Sequence, residues 1–391
     1  MKLARVDFNW LRTIITNIIT IAVATGLAMN RRRNRNLTQY EWPEGKDAPF
    51  VQIIAPARNE EDNVAPLLSS LLAQHYPRGR WGVLLVDDAS TDATKKIASE
   101  MDSQRHELSV IAAPPLPNGW TGKANAMYAG YLATPDEVDW LLFVDADTRH
   151  SPLMLPSVVH GTLCTSADLL SLVINVQMES FWERVLVPQV GELYTLLVGT
   201  MDQVNERGRK GAAANGQCML VRRQLFGALG ASEEVRGDVA EDRALAQALK
   251  ERGYNVRLEY GRNLASARVY SSLRDMWNGY AKTLFWASGH NTLRALGVIA
   301  ALSLYALTPP LVIAISLAKR STSRETILAH GAMQMLPMLA VRLAVCRQMG
   351  VPPRYALTYP LGVAVGNAML LFSMYRVLSG KGVRWKGRTY R

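Results

Sequence analysis

Between residues 50 and 150, apolar and polar blocks alternate along the chain with the lengths of strands and helices. Four apolar or mainly apolar runs have the length of strands: 51–55, 83–86, 108–113 and 140–144. The runs 83–86 and 140–144 are continuous, which is typical of buried strands. Three segments between them have helical periodicity or capping signals: 61–75, 92–104 and 122–133. Strands and helices that alternate at this spacing predict an α/β fold with a doubly wound, mainly parallel sheet.

The pattern is less regular between residues 165 and 270. It predicts a strand at 169–177, helices around 180–200 and a charged loop at 203–211. The segment 212–217, which is rich in small residues, then runs into the apolar segment 218–221. A further helix is predicted to begin near Glu241 and Asp242. Acidic residues at a helix start are favoured by the helix dipole alone, which is one explanation of this pair.

After residue 290 the composition changes to long apolar runs. Three runs are near or above the length that a bilayer requires: 293–318, 327–346 and 356–374. Pro309 and Pro310 lie in the middle of the first run, so a kink or a re-entrant segment is expected there. The aromatic segment 271–290, which precedes these runs, suits an amphipathic helix at a membrane interface.

The first apolar segment, residues 11–29, is weaker and barely long enough to span a bilayer. Arginines follow it at 31–33 and at 35, and this cluster argues against a cleaved export signal. It favours a signal anchor whose following domain stays inside the cell, with an amphipathic interfacial helix as the alternative. Residues 36–49 are polar, contain two prolines and have the composition of a linker.

Composition favours a membrane-attached protein. Of the 391 residues, 49% are hydrophobic and only 20% are charged, which is below the usual quarter. Residues 326–391 contain nine Lys and Arg and no acidic residue, and they supply most of the net charge of +11. Basic residues beside apolar runs indicate a cytoplasmic membrane flank and not a nucleic-acid surface. The three cysteines are far apart, so they predict neither a zinc site nor a disulfide framework.

The strand at 140–144 runs directly into Asp145 and Asp147, which carry the first candidate chemistry. Two carboxylates at the carboxyl end of a strand suit Mg²⁺ or Mn²⁺, although an ordinary turn explains them equally well on their own. Two other strands also end in polar groups, at 58–60 and 87–88. Polar groups at three strand ends indicate a ligand crevice, and the chain has no dinucleotide fingerprint or P-loop motif.

Five short motifs together resemble the family-2 glycosyltransferases, which have the GT-A fold. They are Ala55-Pro56-Ala57-Arg58-Asn59-Glu60, Val86-Asp87-Asp88-Ala89-Ser90-Thr91-Asp92, Pro117-Asn118-Gly119-Trp120-Thr121-Gly122-Lys123, Val144-Asp145-Ala146-Asp147 and Glu241-Asp242. Their order and spacing match that family over about residues 50–290. The resemblance is strongest to bacterial hopanoid-associated and carotenoid-precursor glycosyltransferases, and the stretches 179–184 and 212–222 point to the hopanoid-associated branch.

The resemblance implies a nucleotide-sugar site at the ends of the first strands. The residues expected to line it are Pro56, Arg58, Glu60, Asp87, Asp88, Lys123, Asp145 and Lys282. Asp87 or Asp88 would accept a hydrogen bond from a uracil N–H. Lys123 at a helix start would face a phosphate or the sugar, with a solvated helix lysine as the alternative. Asp145 and Asp147 would hold Mg²⁺ or Mn²⁺ on the diphosphate.

The resemblance also implies the groups on the acceptor side. Asp242 would be the general base that removes a proton from a hydroxyl, and Glu241 would orient it. The small residues around Asn215 and Gly216 would let the acceptor approach the backbone closely. Where processive synthases carry Gln-x-x-Arg-Trp, this chain has Trp-Asn-Gly-Tyr-Ala-Lys at 277–282. Its last residue could face the leaving diphosphate, but the tryptophan platform for a growing polymer is missing.

We therefore expect an inverting membrane glycosyltransferase that moves one sugar from a UDP-sugar to a lipid or isoprenoid-type acceptor. A processive polysaccharide synthase and a non-catalytic nucleotide-binding scaffold are the alternatives, and no nucleic-acid partner is expected. The protein would be a multi-pass protein of the bacterial inner membrane with a cytoplasmic catalytic domain. The sequence does not choose the sugar, the acceptor or the metal.

The patterns divide the chain into six predicted parts. They are an N-terminal membrane anchor (1–35), a linker (36–49), a GT-A catalytic domain (50–270), an interfacial segment (271–290), a C-terminal transmembrane region (291–375) and a basic tail (376–391). The tail contains six Lys and Arg. Three crossings after a cytoplasmic domain would place it outside, against the positive-inside rule. A re-entrant segment, with Pro309 and Pro310 as the suspects, would remove this conflict.

Overall fold

Ten strands of the body form one large and one small sheet. The computed structural model describes residues 13, 14, 17, 18, 20, 36–102, 107–208, 211–238, 240–318, 324–380, 383–385 and 388–390. The strands are β1 (Val51–Ala57), β2 (Trp81–Asp87), β3 (Leu108–Ala112), β4 (Trp140–Phe143), β5 (Thr148–His150), β6 (Leu169–Val173), β7 (Asn175–Val176), β8 (Met219–Arg222), β9 (Val256–Tyr260) and β10 (Ala265–Ala267). The large sheet has the order β3-β2-β1-β4-β8-β6-β9, and the small one β5-β10-β7.

The strand directions confirm the predicted α/β class. β3, β2, β1 and β4 pair in parallel, so their carboxyl ends meet at one edge of the sheet. β8 lies antiparallel between β4 and β6, and β6 pairs in parallel with β9. Because β2, β1 and β4 are direct neighbours, the polar groups at 87–88, 58–60 and 145–147 come side by side, as the sequence predicts.

Helices cover both faces of the large sheet. They are α1 (Val64–Leu72), α2 (Thr94–Asp102), α3 (Gly122–Leu132), α4 (Met154–Thr165), α5 (Phe181–Val198), α6 (Met201–Asn205), α7 (Arg223–Leu229), α8 (Glu233–Arg236) and α9 (Glu241–Glu251). One apolar core includes Leu67 of α1 and Val158 of α4, and the other includes Ala126 of α3 and Leu245 of α9. Each apolar stripe therefore packs on the sheet and leaves its polar face outward.

Two local predictions in the second half are wrong. The predicted strand 169–177 is split between β6 and β7, which belong to different sheets on either side of the buried Ile174. The predicted charged loop 203–211 begins as a helix, because Thr200 and Gln203 form a capping box that starts α6. Residues 209 and 210 of that loop lie outside the described residues.

A third apolar core is made of helices and joins α5 to the C-terminal segment. The helices after α9 are α10 (Leu273–Ala287), α11 (Thr292–Leu302), α12 (Thr308–Ala318), α13 (Arg324–Gln348) and α14 (Tyr359–Leu378). α5 begins at a capping box between Ser180 and Glu183. Burial opposes the charge of Glu183, but hydrogen bonds from Arg268 and Ser180 lower its pKa to about 2. The stretch 179–184 therefore forms the anchored start of a buried helix.

Three helical segments are long and apolar enough to cross a membrane: Thr292–Ile315, Ile327–Gln348 and Pro353–Leu378. They match the three predicted apolar runs. A π-helical turn, Ser303–Leu307, joins α11 to α12, so the helix continues through Pro309 and Pro310, which occupy the first turn of α12. A wider turn there accommodates residues that lack a backbone N–H.

The two ends of the chain are described only in part. Most of the predicted anchor, including the arginine cluster at 31–33 and 35, lies outside the described residues. The start of the predicted linker 36–49 lies against the body, because the Leu37 N–H donates to the Tyr260 backbone oxygen at 2.6 Å. In the basic tail, β11 (Val383–Trp385) and β12 (Arg388–Tyr390) form an antiparallel hairpin.

Candidate active site

Two loops at the carboxyl edge, after β1 and β2, are bonded to each other. The Arg58 guanidinium donates to the backbone oxygens of Asp88 and Ala89 at 2.5 and 3.2 Å. The Asn59 side-chain oxygen accepts from the Thr91 N–H at 2.8 Å. Asn59 and Ala89 have positive φ angles of 51° and 54°. Such strained backbone is concentrated at binding sites, and here it fixes the shape of one wall of the crevice.

The other predicted nucleotide residues lie at the same edge. Pro56 is in β1 next to the end of the strand, and Asp87 ends β2 with only 4% exposure. The Asp87 carboxylate accepts from the Ser90 N–H at 3.3 Å, so it caps its own turn. The Glu60 carboxylate accepts from the Asn63 side chain at 2.9 Å. The structure thus collects these residues along one wall, where their backbone bonds hold them in place.

Lys123 links the Asp-x-Asp to the acidic pair. It enters from the start of α3, where the Thr121 side chain caps the helix by accepting from Ala124. The Lys123 Nζ atom lies 2.7 Å from Asp145 Oδ1 and 2.8 Å from Glu241 Oε1. Burial opposes its charge, but the carboxylates outweigh burial and raise the pKa of Lys123 well above its usual value. The lysine is therefore a fixed cation and not a solvated helix residue.

Asp242 is oriented by two backbone donors at the start of α9. One carboxylate oxygen accepts from the Gly216 N–H and the other from the Arg243 N–H, each at 2.7 Å. Burial and the neighbouring Glu241 raise the pKa of Asp242 to about 6, although Lys123 and the two N–H groups act in the opposite direction. A carboxylate with a raised pKa is a stronger base than an ordinary aspartate and stays mostly ionised at neutral pH.

Gly216 is packed between the lysine and the base. A Cβ atom at this position would lie 2.8 Å from Lys123 Nζ and 3.3 Å from Asp242 Oδ2. Only glycine fits there without displacing a charged group. The neighbouring Asn215 donates from its side chain to the Leu172 oxygen and to Gln217, so its described bonds fasten the loop to β6 and to itself. The predicted acceptor role of Asn215 and Gly216 stays a prediction.

Lys282 reaches the same cluster from α10. Burial lowers its pKa, while Glu241, Asp242 and Asp145 oppose that change, so all three carboxylates act on this ammonium group. These charge interactions set two lysines, Lys123 and Lys282, against the carboxylates of the cluster. The predicted role of Lys282 at the leaving diphosphate stays a prediction.

Three contributors were absent from the sequence prediction. Arg243 donates to the Trp286 oxygen at 2.8 Å and so fastens the start of α9 to the end of α10. The Tyr194 hydroxyl of α5 donates to the Thr283 hydroxyl of α10 at 2.5 Å. Asp238 lies near Lys282 and Glu241 as a fourth carboxyl group, and burial raises its pKa. Their positions along the chain carry no motif, because only the fold brings α5, α9 and α10 together.

Asp145 and Asp147 are the predicted metal ligands, and the side chains around them decide whether they suit a divalent cation. Among the described residues, no group of three or more His, Cys, Asp and Glu side chains converges on one point. Mg²⁺ and similar ions are usually held by one or two carboxylates, with the rest of the shell from substrate phosphates and water. The two carboxylates after β4 match the number of ligands that the protein usually supplies to such an ion. A site that awaits a diphosphate needs no third protein carboxylate.

Comparisons with known proteins identify the domain. Residues 52–230 match the family model described as glycosyl transferase family 2. The chain is 26% identical over 283 residues to 4,4'-diaponeurosporenoate glycosyltransferase of Staphylococcus aureus (strain USA300), across 70% of this chain and 71% of the relative. The mannosyltransferase PcManGT of Pyrobaculum calidifontis, solved in complex with GDP-Man and Mn²⁺, has a TM-score of 0.58 and 17% identity, and the match covers 96% of this chain and 100% of that one.

The likeness to the mannosyltransferase shows a shared fold and confirms the predicted GT-A class. The relative from Staphylococcus aureus is named for a carotenoid-type acid, which agrees with the resemblance to carotenoid-precursor enzymes. The hopanoid-associated placement stays a prediction. Residues 52–230 therefore form a glycosyl transferase family 2 domain.

Proposed function

We propose that this glycosyltransferase moves a single sugar from a UDP-sugar to a hydroxyl of a lipid or isoprenoid-type acceptor, with inversion at the anomeric carbon. One observation carries the proposal. The Asp242 carboxylate is oriented by two N–H groups beside Glu241, whose partner Lys123 also contacts Asp145. A base and the charge-neutralising groups for a leaving diphosphate thus meet in one cluster. A single in-line displacement needs these two elements and no covalent nucleophile.

Asp242 would take the proton from the acceptor hydroxyl as that oxygen attacks the sugar. Its pKa of about 6 lets it accept a proton during the reaction and release it to water at neutral pH. The bonds from Gly216 and Arg243 fix the direction of the carboxylate before the acceptor arrives. Glu241 is held by Lys123 and supports the position and the raised pKa of its neighbour.

On the donor side, two cations would face the diphosphate that leaves. Lys123 and Lys282 lie among the carboxylates of the cluster, where the nucleotide would depart. The loops around Arg58 and Asp88 would hold the nucleoside, and Asp87 or Asp88 would accept from the uracil N–H. A carboxylate suits that donor, and it does not serve a cytosine ring equally well.

Asp145 and Asp147 would hold a divalent cation, Mg²⁺ or Mn²⁺, against the diphosphate. Such an ion, when bound, neutralises charge on the leaving group. The mannosyltransferase of the same fold was solved with Mn²⁺, which supports the proposal in kind, although that likeness by itself concerns only the fold. The support within this chain is the donor set of two carboxylates at the end of β4.

The acceptor would approach from the helical bundle. Tyr194 of α5 and Thr283 of α10 border the cluster, and both helices belong to the apolar third core. An apolar acceptor chain therefore finds apolar helices next to the base. The relative that acts on diaponeurosporenoate, an isoprenoid-type compound, supports this acceptor class. We place the enzyme in the bacterial inner membrane with its catalytic domain in the cytoplasm, where nucleotide sugars are available.

Mass spectrometry of membrane lipids tests the proposal. Lipids of a bacterial host that makes the full-length protein are compared with those of a host that makes the Asp147→Ala variant. We expect one lipid class to gain a single hexose or N-acetylhexosamine only with the parent protein. The purified protein in detergent should then release UDP from the matching UDP-sugar when that lipid is added.

Three results would overturn parts of this assignment. Products with many sugar units would favour a processive synthase. Use of GDP-sugars in preference to UDP-sugars would reject the proposed hydrogen bond from the uracil ring to Asp87 or Asp88. No added sugar on any lipid and no UDP release by either protein would leave the scaffold alternative.

A further inference from the structure

The number of C-terminal helices that cross the bilayer decides on which side of it the tail lies. Three segments are apolar and long enough to cross a bilayer. If all three crossed, the tail hairpin and the catalytic body would lie on opposite sides. The contacts of α14 decide between three crossings and two.

α14 packs closely along α5 near its own start. A Cβ atom on Gly362 would lie 3.2 Å from the Val185 backbone oxygen, and one on Gly366 would lie 3.3 Å from the Gln189 side chain. This Gly-x-x-x-Gly spacing allows two helix backbones to approach each other. The start of α5 is in turn fixed to the body, because Glu183 is bonded to Arg268 at 2.9 Å.

The other end of α14 packs along α10, near the start of that helix at Trp277 and near its end at Phe285. The Phe285 N–H donates to the Ser373 hydroxyl at 3.1 Å, and the rings of Trp277 and Phe372 are 5.7 Å apart. The end of α10 is fastened to the active site, because Arg243 of α9 donates to the Trp286 oxygen. Both ends of α14 are thus held by helices that are bonded to the catalytic body. A helix whose two ends lie on one body cannot have them on opposite sides of a bilayer.

The tail hairpin agrees with this placement. β11 lies alongside α10, so the chain after α14 stays next to the body. The six Lys and Arg of 376–391 then share a side with the catalytic domain. The positive-inside rule is obeyed if that side is the cytoplasm.

α11 packs on α14, since the Asn367 side chain donates to the Ile299 oxygen at 3.3 Å, and the last part of α13 packs on α5 through Arg342 and Glu192. The stretch between these contacts forms a hairpin that continues beyond them. α12 and α13 pack closely, since a Cβ atom on Gly331 would lie 2.5 Å from Ile313. The outer faces of this hairpin are apolar and exposed: Leu304 65%, Leu311 57%, Leu317 55% and Leu336 67%. Thr13 bonds to His330 and Gln334, so part of the N-terminal segment lies beside the hairpin. Exposed leucines of this number on helices of membrane length fit hydrocarbon and not water.

We infer that the α11–α12 and α13 hairpin crosses the bilayer out and back, whereas α14 stays on the catalytic side as part of the body. The hairpin surface takes lipid acyl chains as its partner. A re-entrant segment around Pro309 and Pro310 is then unnecessary. With α14 on the catalytic side, only two segments cross, and the tail lies on the same side as the body. This inference concerns sidedness and is independent of the sugar, the metal and the acceptor.

Cysteine labelling in intact cells tests the inference. Full-length variants carry Cys164→Ser, since Cys164 is exposed and Cys218 and Cys346 are buried. Each then receives one reporter: Arg207→Cys in the body, Ser321→Cys between α12 and α13, or Thr389→Cys in the tail hairpin. A membrane-impermeant maleimide should label position 321 and spare 207 and 389, which should react only after the cells are permeabilised.

The outcome is read as a relation among three sites. Positions 207 and 389 must share a side, and 321 must lie opposite both. Labelling of 389 with protection of 207 would mean that α14 crosses, and equal behaviour of all three would mean that the hairpin does not cross. Fusions of green fluorescent protein and of alkaline phosphatase to the C terminus give a second readout, and only the fluorescent fusion should be active. Loss of glycosyl transfer leaves all of these readouts intact.

Discussion

Two clusters in this molecule set oppositely charged side chains against each other, and they are built differently. The catalytic cluster consists of Lys123, Asp145, Glu241 and Asp242. The bundle cluster consists of Glu192, Arg342 and Tyr359, in the helical core. In the bundle cluster, Arg342 lies 3.2 Å from Glu192 and stacks on the Tyr359 ring at 4.2 Å, and the Tyr359 hydroxyl donates to Glu192 at 2.9 Å. Every charge there has a partner of the opposite sign or an aromatic face.

The difference lies in the balance of charge. One arginine meets one carboxylate in the bundle cluster, so that cluster is complete without a ligand. In the catalytic cluster Lys123 meets three carboxylates, and although Lys282 acts on the same groups, Asp238 adds a fourth carboxyl group beside them. An excess of carboxylates at the end of a sheet is stable only where solvent, a cation or a substrate compensates it. The comparison teaches that incomplete compensation, more than burial itself, marks the functional site.

Removing one carboxylate of the Asp-x-Asp, beside the catalytic cluster, should have the largest effect on transfer. We expect Asp147→Ala to abolish turnover and to remove metal-dependent binding of UDP, because an ion held by two protein carboxylates binds much more weakly to one. UDP affinity with and without Mn²⁺ is measured on the purified variant in detergent. Asp136→Ala is the matched control, since that carboxylate is exposed and far from the sheet edge. Near-normal activity with unchanged metal dependence would return the Asp-x-Asp to an ordinary turn.

Removing basicity from Asp242 should have the next largest effect. Asp242→Asn keeps the shape, and we expect transfer to fall by about 10² to 10⁴ while UDP binding stays within a few-fold. If Asp242 served only to begin α9, asparagine would replace it well and transfer would survive. Equal loss of binding and transfer would instead mean that Asp242 organises the pocket. Because a carboxylate acceptor needs no base, unimpaired transfer would reject Asp242 as base and point to such an acceptor.

The raised pKa of Asp242 predicts a pH dependence of transfer. The base must be ionised, so kcat/KM should fall as pH drops through about 6 and reach a plateau above it. Below that pH the loss should approach about tenfold per unit, as for protonation of one group. The measurement is a pH profile of the parent and of Asp242→Asn at saturating metal. A profile that keeps the same acid limb in the variant would assign the limb to another group.

Crowding the catalytic cluster should have a smaller effect. The Cβ atom of Gly216→Ala would displace the flexible end of Lys123, so we expect about a tenfold loss of transfer with little change in thermal stability. Gly191→Ala is the matched control, because a Cβ atom there meets nothing within 4 Å. Transfer and the unfolding temperature are measured on both variants. Equal transfer by the two would show that Lys123 tolerates the displacement.

The sequence predicted the parts of the site that lie within single motifs. The strand ends at 58–60, 87–88 and 145–147 follow apolar or mainly apolar runs, and a run of that kind is a local signal. Parallel pairing of β1, β2 and β4 then brings the three ends together without further information. The three apolar C-terminal helices were predictable for the same reason, since length and composition decide them.

The sequence could not predict contacts that depend on distant partners. The contact of Lys123 with Glu241 joins residues on two different helices, and no periodicity links them. The antiparallel direction of β8 is likewise invisible, because an apolar strand reads the same in either direction. Helices were predicted around residues 180–200, but the partners of α5 in the third core include helices from the end of the chain. Roles of individual site residues stay predictions until the variants are measured.

The last prediction concerns the complete cluster and should leave transfer nearly unchanged. Arg342→Met removes the partner of Glu192, and breaking a buried ion pair costs about 3 to 5 kcal/mol of stability. Burial already raises the pKa of Glu192 although Arg342 and the Tyr359 hydroxyl oppose that change, so the lone carboxyl group would be costly to keep there. The double variant Glu192→Leu with Arg342→Met replaces both charges by apolar groups and should recover much of the loss, since such replacements are often neutral.

Thermal unfolding and transfer in detergent are measured on the single and double variants. We expect transfer at low temperature within a few-fold of the parent in both. A loss of transfer that the double variant does not repair, at unchanged unfolding temperature, would mean that the bundle cluster also serves the reaction and that charge balance does not separate the two clusters.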